Sequence, residues 1–399
     1  MSKHTKTIIL ALQHLLAMFG ATVLVPLITG LSPSVALFGA GVGTLIFHGC
    51  TKGKVPVFLG SSFAFIAGIL IVKDAYGLPY ATGGIVVAGA LYLVLAQLVR
   101  VYGVTKIRSF FPPVVTGSMI MVIGLTLAPV LINGNIVGGA GTLGQRWIIA
   151  LSSVAIIVLI SMFTKGFFKM LPILFGVVGG YAVASLFPGF VNVTAIAQTP
   201  WLQAPAFFWP KFSLGAVSII VPVALVTFME HIGDIATNGA VVGQDFMSDP
   251  GLDRTLIGDG VATMFAGLVG APANTTYSEN TAVLAVTKNY DPVVLRLTAV
   301  FAIALSFVGK FGAALTTIPA PVMGGVSVIL FGTIAAIGQR TFGNKVDFSK
   351  TKNMFIFALM LVFGISGVAL PVGGVTVSGM SLAALTGVVL NKALPDNIE

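Results

Sequence analysis

Charge is what this sequence has least of. Its 399 residues include 21 Lys and Arg and 12 Asp and Glu, 8% of the chain, where an ordinary soluble domain carries about a quarter. Hydrophobic residues make up 56% and the mean hydropathy is +1.03. A water-facing globule is thereby excluded, because a fold of this length could not hide so much apolar surface. Cysteine is nearly absent as well. The single Cys50, at the end of an apolar run, excludes a disulfide framework or a multi-cysteine metal site and reads as a small packing residue. Basic clusters are missing too: the net charge of +9 is spread singly between apolar runs, which excludes a nucleic-acid-binding face. What the chain does have is 48 Gly and 20 Pro, which suit membrane helices that pack closely and break where they line a cavity.

About 20 apolar residues are needed to cross a bilayer, and on that measure the sequence predicts fourteen spans. They lie near 7–29, 33–50, 56–73, 80–100, 113–133, 147–163, 170–188, 215–240, 255–270, 273–287, 293–311, 317–338, 353–370 and 373–391. With the N-terminus in the cytoplasm, every Lys and Arg except Lys73, Arg146, Lys211 and Lys310 falls on the cytoplasmic side, which is the positive-inside bias and puts both termini inside. The first run continues to Pro26 without a small-residue cleavage site, so it reads as a retained helix. Trp147, Trp201 and Trp209 fall at outer ends or in the long outer loop 189–214, where indole rings favour the boundary.

An internal repeat is visible. Pro113-Val114-Val115-Thr116-Gly117 with Gly124 matches Pro321-Val322-Met323-Gly324-Gly325 with Gly332 at an offset of 208, and Gln13-His14-Leu15 faces Glu230-His231-Ile232 at an offset of 217. Seven spans per half is an odd number, so the second half enters the membrane inverted relative to the first. The expected fold is therefore an all-α polytopic membrane protein of two inverted seven-segment repeats.

Most acids fall in loops or at the C-terminus, Asp396 and Glu399 among them, and Asp259 reads as lying near a helix start. Glu230, Asp234 and Glu279 sit in apolar surroundings, where a carboxylate costs several kcal/mol unless it is paired, protonated or facing a wet cavity. Glu230 and Asp234 are four apart and share one helix face, with His231 and Thr237 on flanking directions. Metal binding by Glu230, His231 and Asp234 is disfavoured, since adjacent helical positions diverge by about 100°. Glu279 lies in Ala271-Pro272-Ala273-Asn274-Thr275-Thr276-Tyr277-Ser278-Glu279-Asn280, a polar, β-branched stretch that no continuous helix favours. An extended piece ending at a half-helix would aim backbone N–H groups at a ligand. Its counterpart is Gly60-Ser61-Ser62-Phe63-Ala64-Phe65, preceded by Pro56, where Phe63 could stack on a flat ring. Gln13 and His14 in the first span read as supporting polar groups; a structural role suits a single intramembrane His.

At these residues the chain resembles the nucleobase/ascorbate transporter family (nucleobase:cation symporter-2), in its bacterial uracil permease branch. The likeness runs through Leu12-Gln13-His14-Leu15, Phe19 to Pro26, Leu59 to Phe65, Glu230-His231-Ile232-Gly233, Asn274-Thr275-Thr276-Tyr277 with Glu279-Asn280, and Pro321 to Ser327. The resemblance implies a core domain (1–110 and 206–314; segments 1–4 and 8–11) and a gate domain (111–205 and 315–399; segments 5–7 and 12–14), with short antiparallel strands in broken segments 3 and 10. It also implies proton-coupled uptake of uracil across the bacterial cytoplasmic membrane by alternating access, without a cofactor beyond the coupling proton, and a homodimer formed through the gate. By likeness Glu230 and Glu279 hold the pyrimidine, Phe63, Tyr277 and Ser278 offer backbone or ring contacts, and Ala21 lies nearby. Glu230, Asp234 and Glu279 are the candidates for proton coupling, supported by Gln13, His14, His231 and Asn280. Two features depart from the family pattern: Asp234 stands where some uracil permeases carry His, and Ser278 and Ala282 replace glycines.

Other readings stay open at this level. A xanthine or purine symporter would need a wider pocket, a substrate-gated nucleobase channel would not accumulate its substrate, and an intramembrane enzyme would need a nucleophile-and-base pair or metal cluster that the sequence does not display.

Overall fold

The computed structural model describes residues 3–372 and 375–395; Asp396 and Glu399 lie outside the described residues. The chain is an all-α polytopic membrane protein with a few short strands. In order it runs α1 (Lys3–Thr29), α2 (Pro33–Cys50), β1 (Leu59–Ser61), α3 (Ile66–Tyr76), α4 (Leu78–Tyr102), α5 (Val104–Arg108), α6 (Pro113–Ile132), α7 (Leu143–Phe163), α8 (Pro172–Ser185) and α9 (Thr194–Gln198). The second half continues with α10 (Leu214–Val242), α11 (Leu252–Val269), β2 (Asn274–Thr276), α12 (Ser278–Thr287), α13 (Pro292–Ser306), α14 (Gly309–Thr316), α15 (Ala320–Phe342), α16 (Thr351–Ile365), β3 (Ala369–Val372), β4 (Val375–Ser378) and α17 (Gly379–Ala393).

Each of the fourteen predicted ranges contains a helix. Among the described residues seven helices, α1, α2, α4, α6, α7, α10 and α15, are long and apolar enough to cross a membrane, while α8, α13 and α16 are apolar but shorter. Local chemistry sets their ends. Ser32 caps α2 by accepting the Val35 N–H, with Pro33 at the first helical position, and Asp291 caps α13 ahead of Pro292. Thr142 and Gln145 form a reciprocal capping box at α7. Gly243 and Gly270 adopt left-handed backbone to close α10 and α11.

Two departures from the sequence expectation stand out. The ranges 353–370 and 373–391 were expected to be two plain spans, but α16 stops at Ile365 and an antiparallel strand pair, β3 with β4, intervenes before α17. Strand-like Val375-Thr376-Val377-Ser378 there competes successfully with helix. The long loop 189–214 contains the short helix α9, and Leu202 bridges to Val308.

The helices pack in two groups. One comprises α1 to α4 with α10 to α13, and the other α6 to α8 with α15 to α17. The helices that carry the Pro-Val…Gly repeat, α6 and α15, pack against each other: a side chain at Gly117 would strike Phe342 and the Gly338 carbonyl, and one at Gly124 would strike the Phe331 carbonyl. Gly117 and Gly124 thus allow backbone-to-backbone approach to α15, the way helices associate in lipid, whereas their repeat partners differ: a side chain at Gly325 would meet the Ala150 carbonyl of α7, and Gly332 has open space around it.

Candidate functional site

Segments 3 and 10 break because their residues cannot sustain helix, and the break is covered from all sides. β1 and β2 pair antiparallel, with Leu59 opposite Thr276, Gly60 opposite Thr275 and Ser61 opposite Asn274. All six residues are buried. Backbone at this depth must find partners inside the protein, and it does. Thr44 accepts the Leu59 N–H at 2.9 Å, Ser62 N–H donates to the Ala273 carbonyl at 2.8 Å and Tyr277 N–H to the Phe58 carbonyl at 3.1 Å. Asn274 stabilises the turn into the strand by donating from Nδ2 to the Gly39 carbonyl at 3.1 Å, while its own carbonyl accepts from Thr263.

Glycine at position 60 is required by proximity. A Cβ there would run into the Tyr277 ring and Thr22 Oγ1. The Tyr277 hydroxyl donates to the Ser61 carbonyl at 2.9 Å and accepts from Thr22 at 3.2 Å, and Ser61 Oγ returns a bond to the Thr22 carbonyl at 3.0 Å. Tyr277 is therefore a buried brace joining α1, β1 and β2, with its ring and hydroxyl both enclosed.

The acids gather beside this junction. Glu230 and Asp234 lie one turn apart on α10, as the spacing predicts. Both Asp234 oxygens are occupied: Oδ2 accepts from Thr276 at 2.6 Å and Oδ1 from Ser278 at 2.8 Å. Glu230, in contrast, is accessible to solvent although protein surrounds it, and it receives no hydrogen bond from the described residues. Glu279, in the first turn of α12, is half-buried, folds back on its own backbone N–H, and lines a cavity of about 80 Å3 together with Ala17, Gly20, Ala21, Pro172 and Ile173. That cavity lies where α1 and α12 of one helix group meet α8 of the other. Glu230, Asp234, Glu279 and Asp259 act electrostatically on one another, and no Lys or Arg among the described residues acts on any of the first three.

The supporting residues are brought in as well. Asn280 Nδ2 donates to His14 Nδ1 and to the His14 carbonyl, each at 3.1 Å, so His14 carries its proton on Nε2 and ties α12 to α1. Phe63 is half-buried at the turn of 3-10 helix that follows β1. Gln13 Oε1 is buried without a partner among the described residues. Thr237 is exposed and bonds only within its own helix.

Asp259 needs correction. It is not near a helix start but seven residues into α11, fully buried, with Oδ2 at 2.9 Å from His231 Nδ1. His231 Nε2 meets Thr255 Oγ1 at 3.0 Å, and Thr255 gives its own proton to the Leu252 carbonyl, so Nε2 is a donor. This buried His-Asp pair sits directly behind Glu230. The sequence signal for it was the spacing of Thr255 and Asp259, four apart on one face of a helix that begins earlier than its Asp-Pro-Gly-Leu-Asp opening suggests. Nearby, Tyr92 donates to Thr227 at 2.6 Å.

Known proteins resemble this chain in sequence and in fold. The family model Xan_ur_permease, described as a permease family, matches residues 5–373. A probable uracil permease of Haemophilus influenzae is 42% identical over 387 residues, covering 96% of this chain and 93% of that protein. The uracil permease of Bacillus subtilis is 42% identical over 403 residues, covering 98% and 92%. Among solved structures, the transmembrane domain of a cyanobacterium bicarbonate transporter, BicA, superimposes with a TM-score of 0.63 at 13% identity, covering 97% of each chain, which is a likeness of fold. The chain belongs to the nucleobase/ascorbate permease family.

Proposed function

We propose that this chain is a uracil permease that couples uptake to protons by alternating access. Its fourteen segments form a core (1–110 and 206–314) that moves against a gate (111–205 and 315–399), both termini are cytoplasmic in a bacterial cytoplasmic membrane, and two copies associate through the gate. The name uracil permease on relatives about 40% identical over nearly the whole chain supports the substrate. The observation that carries the mechanism is a group of carboxylates that faces no Lys or Arg among the described residues, one of which, Glu230, is left without a hydrogen bond beside a broken-helix junction. Acids at membrane depth need a partner, and uracil N–H groups and a proton are suitable ones.

In this reading the Glu230 carboxylate accepts from a uracil N–H, a charge-assisted bond. The free backbone N–H of Ser278, at the start of α12, faces a uracil carbonyl, and Phe63 covers one side of the ring. Asp234 already holds two hydroxyl donors, so Glu279, which lines the cavity between the helix groups, takes the proton. His14, His231, Asn280 and Tyr277 hold the geometry. No cofactor is required.

Uptake of labelled uracil into proteoliposomes tests this. Accumulation above equilibrium under an inwardly directed proton gradient, abolished by a protonophore and poorly competed by xanthine, is expected. Equilibration without accumulation would establish a channel, and strong competition by xanthine would move the substrate to purines.

A further inference from the structure

Away from the acids, α4 and α11 run antiparallel in close contact. A side chain at Gly89 would strike the Gly260 carbonyl, and one at Gly267 would strike the Thr82 carbonyl. Where α2 and α4 end and α11 begins, this pair opens into a cavity of about 270 Å3 lined by Cys50, Arg100, Asp253, Arg254 and Ile257. The two guanidiniums line it without an ion pair or hydrogen bond from the described residues; the ion pairs among the described residues are Lys54 with Asp249 and His231 with Asp259, neither of which lines the cavity. One carboxylate, Asp253, leaves the cavity with a surplus of positive charge. Just past it the surface is apolar. Ile257 and Leu268 on α11, eleven residues apart and so on one face, and Val94 and Val101 on α4, seven apart, are exposed at 37%, 38%, 55% and 61%.

We propose that this cavity is a binding site for an anionic phospholipid. The phosphodiester sits between Arg100 and Arg254, and an acyl chain lies along Ile257 in the valley between α4 and α11. Three observations carry the assignment. Guanidinium is the side chain best matched to a phosphate by its planar fork of donors. Two unpaired cations at a membrane boundary complement an anion, and basic pockets between membrane helices take lipid headgroups. The volume is a little below the range of about 300–1,000 Å3 that small-molecule pockets occupy, which suits a headgroup whose tails remain outside. Asp253 disfavours a second negative charge, so a singly charged headgroup such as phosphatidylglycerol fits better than a phosphomonoester. With the orientation proposed above, the site faces the cytoplasmic leaflet; the binding itself does not depend on that orientation or on the transported substrate.

The test uses the full chain purified in detergent and titrated with phosphatidylglycerol, phosphatidylcholine or inorganic phosphate, with retained lipid counted by native mass spectrometry and Tm followed in parallel. Phosphatidylglycerol is expected to be retained and to raise Tm, and phosphatidylcholine to do neither. Arg100→Gln or Arg254→Gln should weaken retention about fivefold each, and the pair about 25-fold, from the ~1 kcal/mol that each basic residue contributes near an anionic lipid. The charge-preserving pair Arg100→Lys with Arg254→Lys should keep most of the binding, which separates lost charge from lost folding, and Arg340→Gln should change nothing. Equal retention of phosphatidylcholine, or undiminished phosphatidylglycerol binding in the double Gln variant, would overturn the proposal. Full displacement of the lipid by inorganic phosphate at equal concentration would overturn the lipid assignment in favour of a free anion.

Discussion

His231 and Asp259 meet through Nδ1 and Oδ2 at 2.9 Å, fully enclosed, one residue along α10 from the unpaired Glu230. The contact anchors α10 to α11 and thereby fixes the rotation at which Glu230 meets solvent. A buried, hydrogen-bonded His–Asp pair of this kind is costly to break from one side, because the remaining partner is stranded. Asp259→Ala should therefore destabilise the protein by about 3–5 kcal/mol, read as a large fall in Tm. The double variant His231→Leu with Asp259→Leu should cost much less than the sum of the single ones, and a double-mutant cycle in detergent measures the difference.

The Tyr277 hydroxyl makes a different prediction, since it is neutral and holds β1 against β2. Tyr277→Phe leaves the Ser61 carbonyl short of a donor in a buried place, a loss of about 1–3 kcal/mol. We expect the variant to insert normally but to show a raised KM for uracil with kcat little changed, because the broken segments lose their register before the moving parts are affected. Initial-rate uptake at varied uracil concentration checks this.

Gly60→Ala tests close approach directly. A single methyl would meet the Tyr277 ring and Thr22 Oγ1, and overpacking of this sort costs about 1–3 kcal/mol. Uracil uptake should fall at least tenfold, by the ~1.4 kcal/mol per decade of an equilibrium, while the amount of protein in the membrane stays near that of the unmodified chain. Gly233→Ala on α10, where nothing lies near an added Cβ, is the matched control and should transport normally.

Asp234 separates bracing from proton handling. Its oxygens accept from Thr276 and Ser278, and Asp234→Asn keeps one acceptor while replacing the other with a donor that faces a hydroxyl. Uptake should weaken but remain driven by the proton gradient. Loss of the gradient dependence with transport retained would instead make Asp234 the proton carrier, and tracer uptake with and without an imposed gradient distinguishes the two.

How much of this could be read beforehand follows from where the signals are local. The strand-and-half-helix junctions were legible because Pro56, Pro272 and the Asn274-Thr275-Thr276 run resist helix whatever surrounds them, and Glu230 and Asp234 because four-residue spacing on an apolar helix has one geometric meaning. Asp259 was not. Its flanking glycines and the Asp249 to Asp253 stretch have the composition of a loop, and only the tertiary contact with His231, 28 residues away in sequence, turns it into a buried partner. The β3–β4 pair was missed for a related reason: an apolar run of that length reads equally as the end of a span, and only pairing between the two strands selects strand. Tyr277, expected by likeness to offer backbone or ring contacts, also bonds through its hydroxyl to Thr22 and Ser61, a long-range tie that the sequence does not display.

Direct binding of uracil to the purified chain, by titration calorimetry, tests the central claim that Glu230 is kept unpaired in order to hold the ring. The unmodified protein and Glu279→Gln should both bind, the latter more weakly, whereas Glu230→Gln should lose at least tenfold in affinity, in line with the ~1.5–3 kcal/mol of a hydrogen bond to a charged group. Undiminished uracil binding by a folded Glu230→Gln protein would contradict the account.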